Sequence, residues 1–428
     1  MRFSPGTAVA VIMANMIGTG VFTSLGYQLN DIGSPFVLIA LWVVGGVAAL
    51  CGALSYAELG AAMPRSGGEY HFLSRIFHPS VGFIAGWISA TIGFAAPNAL
   101  AAITFGTYLS AVFPSLSPTW LACGLILVLS VAHGGSRRSS GIVQQLFTAA
   151  KVLLILGFCG LAMAWAPAPQ DVSFLPNGGD FALATSGVFA VALIYVSYAF
   201  TGWNAATYLT GELDRPQRTL PSVLLIGTAG VTALYVLLNV TFLYVAPMDA
   251  MRGKLEIGYI AASYAFGPQG ANLMGVLLAA LLVSTVSAMV MAGPRVLQVI
   301  GEDFPPFRWL SSTNAHGVPT TAIYFQSVLS LLFILSASFE SILVFAGFAL
   351  GVSTFVTVTG LIVLRWTQPD LERPYRVTLF PLTPLLYLAI TGWTLTYIVL
   401  QRPAEGYWGL TIICAGGLFY LLTRRLGR

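Results

Sequence analysis

Residues 15–22 read Asn15-Met16-Ile17-Gly18-Thr19-Gly20-Val21-Phe22 and interrupt an apolar run that extends from Thr7 to Leu29. Glycine weakens a helix because its backbone has many accessible conformations. Inside a bilayer, freed backbone groups are tolerated only where they line a cavity or meet protein, and the N–H groups that open the second half-helix can bind an anion such as a carboxylate. We therefore interpret Ile17–Val21 as half of a binding site. The alternative is that Gly18 and Gly20 are small residues that let two helices pack closely.

A second apolar run, from Val188 to Leu209, is interrupted in a similar way. Its middle reads Tyr198-Ala199-Phe200-Thr201-Gly202-Trp203-Asn204 and places a glycine, a threonine and an asparagine among apolar residues. Interrupted helices at corresponding places in two halves of a membrane protein are the best sequence indication of a transporter site. The second break therefore favours the binding-site interpretation of the first.

The composition is that of a polytopic membrane protein. Of the 428 residues 57% are hydrophobic and 8% are charged, and the mean hydropathy is +0.83, which is far outside the range of soluble domains. The first apolar run is too long for a signal peptide and lacks a small-residue cleavage site, so we expect it to remain in the mature protein. The cysteines lie inside apolar runs without Cys-x-x-Cys spacing, so we expect no disulfide framework, no metal site and no cofactor. They are Cys51, Cys123, Cys159 and Cys414.

Twelve apolar segments approach the length of about 20 residues that crosses a bilayer core. They are Thr7–Leu29, Phe36–Ala62, Val81–Ala111, Trp120–Ala132, Gly141–Trp165, Thr185–Leu209, Leu220–Ala246, Gly270–Ile300, Pro319–Ser336, Ile342–Trp366, Leu379–Leu400 and Tyr407–Leu422. The predicted fold is therefore an all-α membrane protein with twelve transmembrane helices.

The distribution of basic residues predicts the orientation. With the N-terminus in the cytoplasm, most arginines face the cytoplasm, as the positive-inside rule requires, and both termini are cytoplasmic. These arginines are Arg65, Arg75, Arg137, Arg138, Arg215, Arg218, Arg308, Arg365, Arg373, Arg376, Arg424, Arg425 and Arg428. On the outer side fall Arg252, Lys254 and Arg402. We expect a multi-pass protein of the cytoplasmic membrane whose surroundings are the lipid bilayer, with no nucleic-acid partner.

An inverted repeat is expected from the parity of the spans. Five spans separate the start of the first helix from the start of the sixth, so these two helices enter the membrane from opposite sides. We predict a first repeat over residues 1–165 (helices 1–5) and a second over 166–366 (helices 6–10). Residues 367–428 form two peripheral helices, 11 and 12. The prediction rests on parity and on the paired breaks.

Lys151 is the one basic residue that lies deep in a predicted span. A charged side chain at that depth costs at least ~2.5 kcal/mol, so we expect it to face the interior and to find partners. The alternative is that its stem runs along lipid and its charge reaches the interface. As an interior group it would be a fixed or a titratable positive charge. The eighth span supplies three hydroxyls that could serve an ammonium or simply join helices, Ser284, Thr285 and Ser287.

Several other features leave two interpretations open. Glu58 is either a gate residue or an interfacial carboxylate, and Asn98 faces either the pathway or a structural hydrogen-bond partner. Residues 72–77 are predicted to form an amphipathic segment that lies in the membrane interface or covers a vestibule at the inner face. Residues 211–218 are either a solvated loop or a salt-bridged hinge, and residues 248–266 are predicted to form a loop helix over the external mouth.

The motifs together resemble the amino acid-polyamine-organocation superfamily, most closely its L-amino acid transporter branch. They are Ile17-Gly18-Thr19-Gly20-Val21-Phe22, Tyr56-Ala57-Glu58-Leu59, Ser66-Gly67-Gly68-Glu69-Tyr70, Phe200-Thr201-Gly202-Trp203-Asn204 and Gly211-Glu212-Leu213. The resemblance covers the first ten spans. It implies the inverted five-plus-five fold with helices 1 and 6 broken, and an amino acid held by its backbone groups between them.

The resemblance also implies roles for residues. The N–H groups of Thr19 and Gly20 and the Thr19 hydroxyl would bind the carboxylate, and carbonyls near the two breaks would bind the amino group. Tyr198 matches an aromatic gate, and Asn204 matches a polar contact in helix 6. The candidate substrate-binding residues are Met16, Ile17, Gly18, Thr19, Gly20, Tyr198, Phe200, Thr201 and Asn204. Lys151 matches the lysine that prokaryotic relatives place where sodium-coupled relatives hold an ion, which with the helix 8 hydroxyls gives a substitute for a sodium site.

The chain departs from the family pattern at Pro294, which precedes Arg295, and at Tyr198, where phenylalanine or tryptophan is common. The cysteine that links eukaryotic members to a partner has no evident counterpart, so we expect no covalent accessory subunit.

The expected function is sodium-independent transport of neutral L-amino acids by alternating access, by exchange or by proton coupling. A carrier of cationic amino acids or polyamines is the closest alternative; it would need a carboxylate in the pocket, and helices 1, 3, 6, 8 and 10 carry no midspan Asp or Glu. A channel would need a continuous polar lining, and a membrane enzyme a catalytic set; the sequence shows neither.

Overall fold

The computed structural model describes residues 5–64, 68–135, 141–204 and 216–426, and the regular structure within these ranges is helical. The first part of the chain forms α1 (Pro5–Met16), α2 (Gly20–Gln28), α3 (Pro35–Ala62), α4 (Gly68–Ile76), α5 (Pro79–Ile88), α6 (Ala95–Val112), α7 (Pro118–Gly135) and α8 (Gly141–Trp165). A π-helical turn, Ser89–Gly93, joins α5 to α6.

The second part of the chain continues with nine further α-helices among the described residues. They are α9 (Asp180–Ala184), α10 (Gly187–Ala199), α11 (Pro216–Val245), α12 (Met248–Met251), α13 (Ile257–Asp303), α14 (Thr320–Ser336), α15 (Phe339–Thr367), α16 (Leu382–Gln401) and α17 (Pro403–Leu426). A short 3₁₀ helix, Pro305–Ser311, follows α13.

Nine stretches of the described chain are long and apolar enough to cross a membrane. They are Pro35–Ala62, Pro79–Val112, Pro118–Gly135, Leu146–Trp165, Thr219–Val245, Ile257–Asp303, Phe339–Thr367, Leu382–Gln401 and Pro403–Leu422. The remaining predicted spans coincide with the α1–α2 pair and with the shorter apolar helices α10 and α14. The all-helical membrane class is thus confirmed, whereas the count of twelve spans and the inverted repeat stay predictions.

Serine residues cap the start of three apolar helices. The hydroxyls of Ser34, Ser186 and Ser338 accept hydrogen bonds from backbone N–H groups in the first turns of α3, α10 and α15. Each bond satisfies one of the donors that a helix start leaves without an intrahelical partner. In α3 the serine precedes Pro35, whose fixed φ suits the first helical position.

Glycines set the close approach of α3 to its neighbours. A Cβ at Gly45 would collide with Val196 of α10, and one at Gly46 would collide with Thr232 of α11. Small residues at such crossings let helix backbones come near enough for van der Waals packing, which is a main source of helix association in lipid. Helix α3 therefore lies tightly between the helix before the second break and the helix after it.

Some boundaries differ from the sequence prediction. Helix α10 ends at Ala199, and residues 205–215, which hold the end of the predicted sixth span and most of the 211–218 segment, lie outside the described residues. The backbone of α13 is non-helical at Gly267, with φ 73°, so that residues 257–266 and 268–303 are two helices joined by a kink. Glycine adopts such a positive φ without strain. The predicted outer loop helix is therefore α12 together with residues 257–266.

Candidate functional site

The first break separates α1 from α2 at residues 17–19. Helix α1 ends at Met16 and α2 begins at Gly20, and the connection turns tightly, because Gly18 N–H donates to the Met16 carbonyl at 2.8 Å. The residues of this break are buried except for Gly18, which is partly exposed. The first residues of α2 have N–H groups without acceptors in their own helix, as at every helix start.

The second break packs directly against the first. A Cβ at Gly20, where α2 begins, would lie 2.5 Å from the Cα of Ala199, where α10 ends. Gly202 has φ 101°, and a Cβ there would lie 2.8 Å from the Asn15 carbonyl oxygen. Both glycines are therefore required for the contact between the two breaks. Gly18 differs, since the nearest atom to a Cβ would be the Met16 carbonyl oxygen at 3.9 Å.

Tyr235 of α11 joins the two breaks, and the sequence analysis did not select it. Its hydroxyl lies 2.6 Å from the Met16 carbonyl oxygen and 3.0 Å from the Ala199 carbonyl oxygen, so that its single proton is shared between the last residues of α1 and α10. The side chain is fully buried, and its ring packs 5.1 Å from that of Phe200. In the sequence it is one of two tyrosines in a largely apolar run, residues 220–246, and nothing distinguishes it there.

Lys151 of α8 reaches the first break from the side. Its side chain is 4% exposed, and Nζ donates to the Ile17 carbonyl at 3.0 Å and to the Thr285 hydroxyl of α13 at 2.8 Å. The ammonium thus lies inside the protein and not at the membrane surface. Ser284 is buried beside Thr285, whereas the Ser287 hydroxyl hydrogen-bonds His133 Nε2 of α7 at 2.8 Å.

The residues around the second break form hydrogen bonds and packing contacts with one another and with the first break. The Tyr198 carbonyl accepts hydrogen bonds from both the backbone N–H and the hydroxyl of Thr201, at 3.0 and 2.7 Å. The Tyr198 side chain is buried, and its hydroxyl lies next to the side chain of Thr19 from the first break. Tyr198, Phe200 and Thr201 also line a small cleft of about 70 Å³ between α3, α10, α15 and α16.

A buried carboxylate lies beyond the second break. Glu69 of α4 is 3% exposed and accepts hydrogen bonds from the Tyr56 hydroxyl at 2.7 Å, the Asn204 amide at 3.0 Å and the Ser353 hydroxyl at 3.5 Å. It therefore links α3, the second break and α15. No role was predicted for Glu69 from the sequence, because it stands in a loop motif and not in the middle of a span.

Glu58 is held in an ion pair. Arg365 of α15 donates to both of its carboxylate oxygens, at 2.5 and 2.8 Å, and the Val377 N–H donates to it at 2.6 Å. The Arg373 guanidinium lies 3.5 Å away. Glu58 thus clamps α3 to α15 and to the segment before α16.

The Asn98 amide in α6 donates a hydrogen bond to the Ser330 hydroxyl of α14 at 3.2 Å. Of the two expected roles of Asn98, this is the structural hydrogen bond. Helix α4 is amphipathic as predicted for residues 72–77, since Phe72 and Leu73 are buried while Arg75 is exposed. Among the described residues no three His, Cys, Asp or Glu side chains come together in a way that could hold a metal ion.

The sequence of the chain matches that of a known protein family. A family model described as amino acid permease matches residues 3–418. The chain is 30% identical over 438 residues to the large neutral amino acids transporter small subunit 2 of Mus musculus, covering 97% of this chain and 80% of the relative. It is 27% identical over 431 residues to the b(0,+)-type amino acid transporter 1 of Mus musculus, covering 97% of this chain and 86% of the relative. The chain therefore belongs to the amino acid permease family, within the superfamily that its motifs resemble.

Proposed function

We propose that the protein carries neutral L-amino acids across the cytoplasmic membrane by alternating access, without sodium. The observation that carries the proposal is the contact of the Lys151 ammonium with the Ile17 carbonyl at the first break. The names of the similar proteins, a large neutral amino acids transporter subunit and a b(0,+)-type amino acid transporter, support an amino acid as the cargo. The family is one of permeases and not of enzymes.

The substrate carboxylate binds at the start of α2, where the N–H groups of Thr19 and Gly20 and the positive end of the helix dipole favour an anion. Gly18 leaves open space beside these groups. The amino group binds to carbonyls at the ends of α1 and α10. In the described structure those carbonyls are engaged by Tyr235, so the amino group must share them with the phenol or displace it.

The proposal includes the twelve-span topology. The α1–α2 and α10 breaks belong to two inverted repeats, residues 1–165 and 166–366, and α16 and α17 in residues 367–428 are peripheral. Support for the repeat comes from the direct packing of Gly20 on Ala199, since equivalent helices of inverted repeats meet at the substrate site. The arginine distribution supports cytoplasmic termini.

We infer sodium independence from the positive charge that Lys151 brings to the first break. Freed carbonyls at a helix break need a donor or a cation, and a buried ammonium needs acceptors. Lys151 meets both needs, because one protein-bound charge reaches Ile17 of the break and Thr285 of α13. Transport is coupled either to exchange of a second amino acid or to loss and recovery of the Lys151 proton.

The test is uptake of labelled alanine, serine or leucine into proteoliposomes with sodium, potassium or choline outside. We expect equal rates in the three salts, and a rate reduced by at least about tenfold in Lys151→Ala. Lys254→Ala is the matched control, since Lys254 is the only other lysine of the sequence and is exposed. Stimulation by sodium, or full activity of Lys151→Ala, contradicts the proposal. Uptake driven by a pH gradient without internal amino acid indicates proton coupling, whereas uptake that requires internal amino acid indicates exchange.

A carrier of cationic substrates is the second candidate, and the buried Glu69 is the observation that favours it. A cationic side chain that reached beyond the second break would meet this carboxylate, which is near Asn204. In the part of the chain that the structure describes, three neutral side chains donate to its oxygens, which is why we place this candidate second. Arginine or putrescine that competes for uptake better than any neutral amino acid would establish this candidate.

The protein works without a disulfide-linked partner in our proposal. The large neutral amino acids transporter relative from Mus musculus is named a small subunit. In this chain Cys51, Cys123 and Cys159 are buried, and the exposed Cys414 lies in α17, in a stretch apolar enough to face lipid. Non-reducing electrophoresis of the protein from its native membrane should show no larger covalent complex.

A further inference from the structure

Four helices meet at the end of the molecule that faces outward in the proposed orientation. Tyr27 at the end of α2 stacks between Tyr195 of α10 and Phe339 of α15, with ring centroids 5.7 and 5.9 Å apart and interplanar angles of 6°. The aromatic stack thus joins the half-helices that lead outward from the two breaks to the beginning of α15.

A charged group lies next to the stack. The carboxylate of Glu340 accepts the Tyr195 hydroxyl at 2.5 Å and the Arg402 guanidinium at 2.6 Å, both at Oε1. Arg402, between α16 and α17, also donates to Glu405 at 3.0 Å. The side chains of Arg402 and Glu340 are 28% and 27% exposed, so water screens the pair less than a surface pair. The chain of contacts ties α10 to α15 and to the corner between α16 and α17.

We propose that Tyr195, Glu340 and Arg402 form an outer latch, which must open in each transport cycle. Tyr195 lies one helical turn from Tyr198, which is at the second break, so outward movement of α10 away from α15 separates Tyr195 from Glu340. Opening of the outer side therefore requires that the Tyr195–Glu340 hydrogen bond be broken, while Arg402 keeps Glu340 in place. The latch sets the fraction of molecules whose site faces outward.

The alternative is a static contact that only stabilises the fold. The two can be separated by a reporter that responds to opening and not to stability. Leu343 of α15 is fully buried, in the same apolar cluster as Tyr195 and Tyr198. A cysteine at this position, in a background with the four native cysteines replaced, is accessible from outside only when α10 moves away from α15.

The experiment measures the rate at which a membrane-impermeant thiol reagent labels Leu343→Cys in right-side-out membrane vesicles without amino acid. We expect Arg402→Gln and Glu340→Gln to raise the rate by about tenfold, as for loss of one charge-assisted hydrogen bond. Tyr195→Phe should raise it too, since it removes the hydroxyl and keeps the ring stack. The matched control is Arg252→Gln, which breaks an exposed pair with Asp249 within one turn.

The control should label like the unmodified reporter. Labelling of both Glu340→Gln and Arg402→Gln at the rate of the control overturns the latch, provided that gel filtration shows folded protein. If one variant does not fold, Tyr195→Phe with an unchanged rate overturns it equally. The inference rests on the proposed transport function, but labelling requires no substrate. Failure of the latch is therefore distinguishable from absence of amino acid uptake.

Discussion

The ammonium of Lys151 lies 3.0 Å from the carbonyl oxygen of Ile17, at the point where α1 gives way to α2. A carbonyl released by a helix break has lost its intrahelical donor, and leaving it unpaired in an apolar environment costs several kcal/mol. A lysine at that depth has the converse requirement for acceptors. The broken helix and the buried charge therefore stabilise each other, so a change at either one should affect the other.

Thr285 is predicted to be necessary because it is the second acceptor of the same ammonium, at 2.8 Å. Thr285→Val preserves shape and removes the hydroxyl, which leaves Lys151 with one fewer acceptor. We expect the initial rate of amino acid uptake to fall by about tenfold, since a hydrogen bond to a charged group contributes about 1.5–3 kcal/mol. Thr285→Ser keeps the hydroxyl and should retain most of the rate. Equal rates in the two variants would show that the contact has no role in transport.

Gly18 and Gly20 are predicted to respond differently to the same substitution. Gly20→Ala places a methyl group 2.5 Å from the Ala199 Cα, so the two breaks must move apart, and we expect a lower melting temperature and poor gel-filtration behaviour. Gly18→Ala meets open space and should fold normally. Its methyl group enters the proposed carboxylate site, so amino acid binding, followed by thermal shift, should weaken at least about tenfold. Normal binding in Gly18→Ala would move the site elsewhere.

Features that depend on local sequence were predicted well. Helix α8 has the bounds that were predicted for a span, Gly141–Trp165, because polar residues precede the run and Pro167 follows it, and both breaks lie at the predicted glycines. The first and second breaks were read from the conformational freedom of glycine in an apolar run. Such signals are local and need no knowledge of neighbours.

Features that depend on contacts between distant parts of the chain were not predictable. Glu69 becomes buried only because α4 folds against α3 and the second break, and Tyr235 is one of 17 tyrosines in the sequence until α11 places it between α1 and α10. By contrast, the different partners of Ser287 and Thr285 follow from their spacing, because residues two apart on a helix point to different sides, and Ser287 bonds His133. Side-chain direction on a helix decides such pairings.

Tyr235→Phe is predicted to lower the stability of the substrate-free protein more than that of the substrate-bound protein. The phenol is shared by the carbonyls of Met16 and Ala199, and its loss leaves buried acceptors with one donor fewer, at about 1–3 kcal/mol. The amino group of a bound substrate can replace it. We expect a lower melting temperature without amino acid and a larger substrate-induced shift than in the unmodified protein. Tyr259→Phe, which loses an exposed bond to Asn272, serves as the control and should change neither quantity.

Glu69 is predicted to act as a hydrogen-bond acceptor and not as a binding site for a cation. Its oxygens accept from three neutral donors among the described residues, Tyr56, Asn204 and Ser353, so the amide of Glu69→Gln can replace one oxygen and keep most of this arrangement. We expect Glu69→Gln to take up neutral amino acids at a rate within about threefold of the unmodified protein. Glu69→Ala removes the acceptor and should lower the melting temperature, because each buried donor left without an acceptor costs about 1–3 kcal/mol. Competition by arginine decides the alternative. If arginine inhibits uptake by the unmodified protein and the inhibition disappears in Glu69→Gln, then the carboxylate binds a cationic side chain, and the substrate class proposed here is wrong.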